Sequence, residues 1–418
     1  MDLLTIALYG AFAAFWVFVL HRGYPANLIV VVAIYRTLIR YALRGGAPLL
    51  PNWTLGLELT QAVLRGVGDR FGDGATRPHY ALKLRDVSAR VGDLVGGFAC
   101  RSHGTEIAPV VINGLEHLWL RAQQTSGAKA STARPKSPVN GTAAASGAPR
   151  RFVVLYYHGG GYALNCPRFY VGYCNSLRAV IVKELERTYQ VETPQVDFFL
   201  ANYRKAPEHK FPAAAQDAAA IYKYLINDQG LSPRQIVLAG DSCGGALALS
   251  ALLRVRQSQP GLLPLAAALH CPKTSMAKGA SDGAATPHCI LSPLLGEAFR
   301  TAYLKTPDDP ASWQDASPLH CNLRDLPPVF VQTATCDYLH AESLDIVAKV
   351  RADGITNWEL DVHADMPHTF ALLPAFVLPY AEVGIAATGQ FVARQFASTL
   401  SSRAKYLKHK RASQSAAA

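Results

Sequence analysis

The chain has 418 residues, half of them apolar. That is enough for one large domain with appendages, and it does not require two domains. Its 41 basic and 30 acidic side chains leave a net charge of +11. Much of the excess sits at the ends, in Arg36, Arg40 and Arg44 and in Lys405, Lys408, Lys410 and Arg411. No aromatic residues interleave with it as on a nucleic-acid surface, which excludes nucleic acid as the partner. An anionic membrane surface suits such charge better. The eight cysteines are scattered without C-x-x-C pairs or metal-ligand spacing, so no metal and no cofactor is expected.

In chain order, Leu3 to Leu20 carries no charge. At about 1.5 Å per residue it reaches about 27 Å, nearly a bilayer core, and residues 1–25 read as a single-pass membrane anchor binding membrane lipid. Residues 26–78 read as amphipathic cap helices, with Arg36, Arg40 and Arg44 on one face of the first. Residues 79–400 read as the catalytic domain, interrupted at 122–150 by a low-complexity loop of Ala, Ser, Thr, Gly and Pro. Residues 401–418 read as a disordered basic tail. Strand-like runs are expected at 82–89, 98–103, 116–121, 152–157, 195–202, 236–240, 265–270, 328–333 and 356–363. After the third they alternate with helical stretches. That pattern predicts an α/β fold with a mostly parallel central sheet and helices on both faces.

Two strings carry the chemistry. Gly240-Asp241-Ser242-Cys243-Gly244 follows the apolar run Ile236–Ala239 and matches G-x-S-x-G. In that motif a serine sits on a sharp turn from strand to helix, its hydroxyl pushed outward, and small residues are needed where the turn crowds its neighbours. His158-Gly159-Gly160-Gly161 follows the strand-like Phe152–Tyr157 and matches the HGGG loop. The amides of Gly160, Gly161 and Cys243 are the expected oxyanion donors, with His158, Gly159, Gly240 and Gly244 supporting the two loops. The two strings together predict an α/β-hydrolase that cleaves esters, with Ser242 as nucleophile.

Such a serine needs an acid and then a base further along the chain. Asp337 lies just past the run Pro328–Thr333, where a sheet presents its active edge. His368 falls in the loop after the last strand. His363 is the rival base, but as a strand residue it would face one side of the sheet. Asp345 and Asp361 fall within a helix and a strand, and Asp365 is too close in sequence to His368. Asp337 and His368 are therefore the expected partners.

The stretch Tyr203-Arg204-Lys205-Ala206-Pro207-Glu208-His209-Lys210-Phe211-Pro212-Ala213-Ala214 resembles the YRLAPEHPFPAA segment of the hormone-sensitive-lipase-like α/β-hydrolases. That family includes arylacetamide deacetylases and fungal steryl acetyl hydrolases. Ser317-Pro318-Leu319, Asp337-Tyr338-Leu339 and His368-Thr369-Phe370 resemble further segments of it. Cys243, Lys205 and Lys210 depart from the family pattern, and its second acid is shifted to Glu342. The resemblance implies a helical cap made from N-terminal and post-strand insertions. It also implies a small apolar ester as substrate, with short acyl chains on a bulky apolar alcohol. Likeness to microsomal deacetylases implies an endoplasmic-reticulum membrane, whereas His21 and Arg22 after the anchor favour a cytosolic catalytic side. Two further readings of the fold are a silent ligand-binding receptor and a lipase for longer chains.

Overall fold

A computed structural model describes residues 24–123, 151–279, 287–314 and 316–415. Its strands are β1 (Thr105–Ile112), β2 (Leu115–Ala122), β3 (Arg151–Tyr157), β4 (Gln195–Ala201), β5 (Ile236–Asp241), β6 (Ala266–His270), β7 (Val329–Cys336) and β8 (Trp358–Pro367). The described helices that matter here are α1 (Tyr24–Leu43), α2 (Leu55–Phe71), α3 (Pro78–His103), α4 (Val171–Arg187), α5 (Ala213–Asn227), α6 (Cys243–Ser258), α7 (Pro293–Tyr303) and α8 (Ala381–Ser415).

The strands form one sheet in the order β1-β2-β4-β3-β5-β6-β7-β8. β2 pairs antiparallel with both β1 and β4, and every pairing from β4 to β8 is parallel. This is the mostly parallel α/β sheet expected from the sequence. Helices on both faces are what allow β3 to be apolar from Phe152 to Tyr157. Its Val153, Leu155 and Tyr157 join a core with Leu247 and Leu249 of α6. Its Phe152, Val154 and Tyr156 join a second core with Leu177 and Ile181 of α4 and Phe396 of α8.

The runs 82–89 and 98–103, expected to be strands, are parts of the single helix α3. The large apolar residues Leu82, Leu84 and Phe98 misled the pattern, because they are exposed. The face that packs inward is built from small residues, Ala81, Ser88, Gly92, Gly96 and Ala99, at helical spacing. Pro78 opens the helix and Gly104, at φ 59°, closes it. The first strand begins only after that glycine.

An added Cβ at Gly92 would lie 2.4 Å from the backbone carbon of Arg168, whereas at Gly97 it would meet only a guanidinium nitrogen at 4.0 Å. Gly92→Ala should therefore lower stability by about 1–3 kcal/mol. Gly97→Ala should be neutral or gain up to about 1 kcal/mol from helix propensity. Urea midpoints measured on both variants would check this. Equal effects at the two positions would contradict the packing described.

The expected membrane location is corrected. Among the described residues no helix is long and apolar enough to cross a membrane. The run Leu3–Leu20 lies outside the described residues. α1 packs beside α2, and Arg44 just beyond it pairs with the buried Glu58 at 2.5 Å. α8 continues as helix to Ser415, into the stretch read as tail. Most of the low-complexity insert, 124–150, lies outside the described residues.

The N-terminal layer packs on α7. Gly68 and Gly72 let α2 approach Ser292 and Leu295 at the start of α7, where an added Cβ would meet atoms at 2.8 and 2.7 Å. Gln61 of α2 also donates to the Pro287 carbonyl at 2.9 Å. Trp53 and Thr54 tie this N-terminal layer to the carbonyls of Asp365 and Val377, near the His368 loop.

Candidate active site

β5 runs straight into Ser242, whose backbone sits at φ 53°, ψ −122°, and α6 starts at the next residue. A non-glycine residue there is strained, and strain of this kind costs on the order of 1–3 kcal/mol. The flanking glycines are required by contact. A Cβ on Gly244 would lie 2.0 Å from the Tyr157 carbonyl oxygen, and one on Gly240 would lie 2.5 Å from Gly244. The free amides at the start of α6 add positive potential beside the serine.

The glycine loop is fastened to this elbow by Asp241. Its Oδ1 accepts the Gly159 N–H at 2.8 Å and the Tyr156 hydroxyl at 2.9 Å, and its Oδ2 accepts the Tyr170 hydroxyl at 3.2 Å. Burial pushes the Asp241 carboxyl up to about 6, opposed by these hydrogen bonds. Gly160 and Gly161 adopt φ 112° and 59°. Burial, with Lys205 nearby, holds His158 well below the ordinary imidazole value. Its ring is therefore neutral, and Nδ1 donates to the Gly159 carbonyl at 2.7 Å.

The Tyr203–Ala214 segment buttresses the same loop. The Tyr203 ring stacks on His158 and its hydroxyl donates to the His158 carbonyl at 2.8 Å, while Ala206 N–H donates to the Tyr162 carbonyl at 2.9 Å. Arg85 of α3 donates to the carbonyls of Ala163 and Ala206 and pairs with Glu208 at 2.8 Å. The unusual Lys205 is buried. Its ammonium donates to Asn202 Oδ1 and to the Tyr203 carbonyl, and burial pulls it down to about 8, with Arg85 adding to the shift. Cys243 is no rival nucleophile. Burial pushes its thiol up to about 12, and its Sγ accepts the Tyr162 N–H at 3.1 Å.

After β7 and β8, His368 Nδ1 and Asp337 Oδ1 are 2.8 Å apart, and both residues are buried. Asp337 Oδ1 also accepts the Leu339 N–H at 2.9 Å. Burial lowers the His368 pKa, but the charge and hydrogen bond of Asp337 outweigh it, and the net shift is upward. The rival His363 is engaged elsewhere. Its Nε2 pairs with Asp361 at 2.8 Å and its Nδ1 faces the Tyr380 hydroxyl at 3.2 Å. Asp345 is exposed.

The loop after β6 joins the halves. Ser242 N–H donates to the His270 carbonyl at 2.8 Å and Lys273 N–H to the Ser242 carbonyl at 3.0 Å. Thr369 N–H, next to His368, contacts Cys271 Sγ at 3.3 Å. This loop is held by the buried Glu342, which pairs with Lys273 at 2.5 Å and accepts the Thr274 and Ser275 N–H groups at 2.8 Å each. The structure thus brings the predicted site residues to one sheet edge. Asp241, at the end of β5, had no signal in the sequence for this role, since it meets Gly159, Tyr156 and Tyr170 only in the fold.

Residues 154–372 match the family model described as alpha/beta hydrolase fold. The chain belongs to that family. Its Tyr203–Ala214, Asp337–Leu339 and His368–Phe370 segments resemble those of the hormone-sensitive-lipase-like branch. It is 33% identical over 194 residues to an acetyl-hydrolase of Streptomyces hygroscopicus, covering 46% of this chain and 58% of the relative. It is 30% identical over 245 residues to an esterase of Acinetobacter venetianus, covering 57% and 74%. The chain thus spans less than two thirds of the Streptomyces relative. A solved esterase of the bacterial hormone-sensitive lipase family superposes with TM-score 0.57 at 24% identity, covering 82% of this chain and 98% of that one; this likeness speaks for the fold.

Proposed function

We propose that the chain is a serine carboxylesterase or deacetylase for short-chain acyl esters of apolar alcohols. One observation carries the reading. Ser242 has a strained backbone on a loop framework that also contacts the segment bearing His368, and His368 is hydrogen-bonded to a buried carboxylate. In this mechanism Ser242 Oγ attacks the ester carbonyl and His368 takes its proton. Asp337 orients the ring and stabilises the imidazolium. The amides of Gly160, Gly161 and Cys243 receive the oxyanion, a contribution of roughly 3–4 kcal/mol for one such donor. The alcohol leaves with the proton from His368, and water then releases the acid by the same route.

The short-chain preference rests on Phe299. A Cβ at Gly161 would lie only 2.1 Å from the Phe299 ring, so α7 presses that ring directly on the oxyanion loop. A long acyl chain attached to a carbonyl seated there would collide with it. Phe299→Ala should therefore raise kcat/KM for p-nitrophenyl octanoate relative to acetate by roughly tenfold or more, the scale on which apolar pockets discriminate chain length. Rates across graded p-nitrophenyl esters would test this. An unchanged chain-length profile would remove Phe299 as the wall.

A further inference from the structure

The thiol of Cys271 has no part in the mechanism above, yet it lies against the catalytic pair. Among the described residues, Cys271, Asp337 and His368 form a group whose ligand atoms all lie within 4.8 Å of one another. All three are buried. Asp337 Oδ2 is buried with no hydrogen-bond partner among the described residues, so a lone pair is left over in the cluster. A second thiol, Cys289, stands 4.0 Å from Asp337 Oδ1.

We propose that Cys271 Sγ, a carboxylate oxygen of Asp337 and a ring nitrogen of His368 form a capture site for a thiophilic divalent cation of the zinc and cadmium kind, and that capture switches the esterase off. The donor set decides the class. Sulfur, imidazole nitrogen and one carboxylate suit zinc or cadmium, whereas magnesium and calcium need a shell of oxygens. A tetrahedral zinc holds such donors about 3–4 Å apart, so closure needs inward shifts of roughly 1 Å. Cys289 or a water can supply the fourth position. On binding, Cys271 gives up its thiol proton to solvent and no electron is transferred. Capture through His368 Nδ1 breaks the bond to Asp337. Capture through Nε2 takes the lone pair meant for the serine proton. Either ends turnover. Ser242 is partly exposed, which gives the cation a way in.

The switching rests on the proposed roles of His368 and Asp337, but the capture does not. The full chain would be titrated with cadmium chloride while two signals are read, the near-ultraviolet thiolate-to-cadmium charge-transfer band and p-nitrophenyl acetate hydrolysis, each variant against its own metal-free rate. The wild type should show a saturable band that tracks inhibition, and a chelator should reverse both. Cys271→Ser should lose the band and raise the half-inhibiting concentration by more than about tenfold, since even outer-shell changes cost that much. Cys321→Ser should keep both signals. If Cys271→Ser fails to fold, His368→Ala should still weaken the cadmium dependence of the band. A band and inhibition that persist unchanged in Cys271→Ser, or a wild type with no band, overturn the capture site. A Cys271-dependent band without inhibition leaves capture intact but contradicts the catalytic roles of Asp337 and His368.

Discussion

Ser242→Ala should lower kcat for short p-nitrophenyl esters by about 10⁵–10⁶-fold, close to abolition, because the members of a serine triad act as one unit. The fold should tolerate the change. The methyl side chain has the same bulk at Cβ, the elbow's glycines are untouched, and the Ser242 backbone N–H still reaches the His270 carbonyl. Urea denaturation should therefore place the variant within about 1 kcal/mol of the wild type, separating chemistry from stability. A variant that retains most of its activity would mean that bond cleavage runs through another group.

The second large effect discriminates between the histidines. His368→Ala should lose about as much as Ser242→Ala, and Asp337→Asn about 10⁴-fold, the loss expected when the ring's orienting acid is removed. His363→Ala should stay active, since His363 is committed to Asp361 and Tyr380. The pH profile carries the same assignment. His368 must be neutral to accept the serine proton, and Asp337 raises its pKa above the ordinary 6.5. Activity should therefore rise with pH through a midpoint above 6.5, and Asp337→Asn should move that midpoint downward. A dead His363→Ala beside an active His368→Ala would transfer the role of base.

How far this site could be read in the sequence follows from how local its parts are. The elbow and the glycine loop are short because steric crowding acts on neighbouring residues, so Gly240, Gly244 and Ser242 announce themselves in a few letters. Asp337 and His368 were legible through position, each immediately after a parallel strand. Asp241 was not, because its work is to join Gly159 and Tyr156 to the elbow, and no spacing encodes that. Phe299 was hidden for the same reason. α3 was misread because its inward face is built of alanine, serine and glycine, while its leucines point outward. Hydrophobic periodicity assumes large residues inside, and close helix packing reverses that. The membrane anchor was argued from the uncharged run Leu3–Leu20 alone, and nothing among the described helices repeats its length and apolarity.

The most direct test is to treat the full chain with a fluorophosphonate and locate the adduct by peptide mass spectrometry. An activated serine attacks phosphorus and expels fluoride, so the label marks the nucleophile itself. The account predicts one modified site, Ser242, with labelling lost in Ser242→Ala and strongly slowed in His368→Ala. An adduct on another residue, or an active enzyme that takes no label, would contradict it.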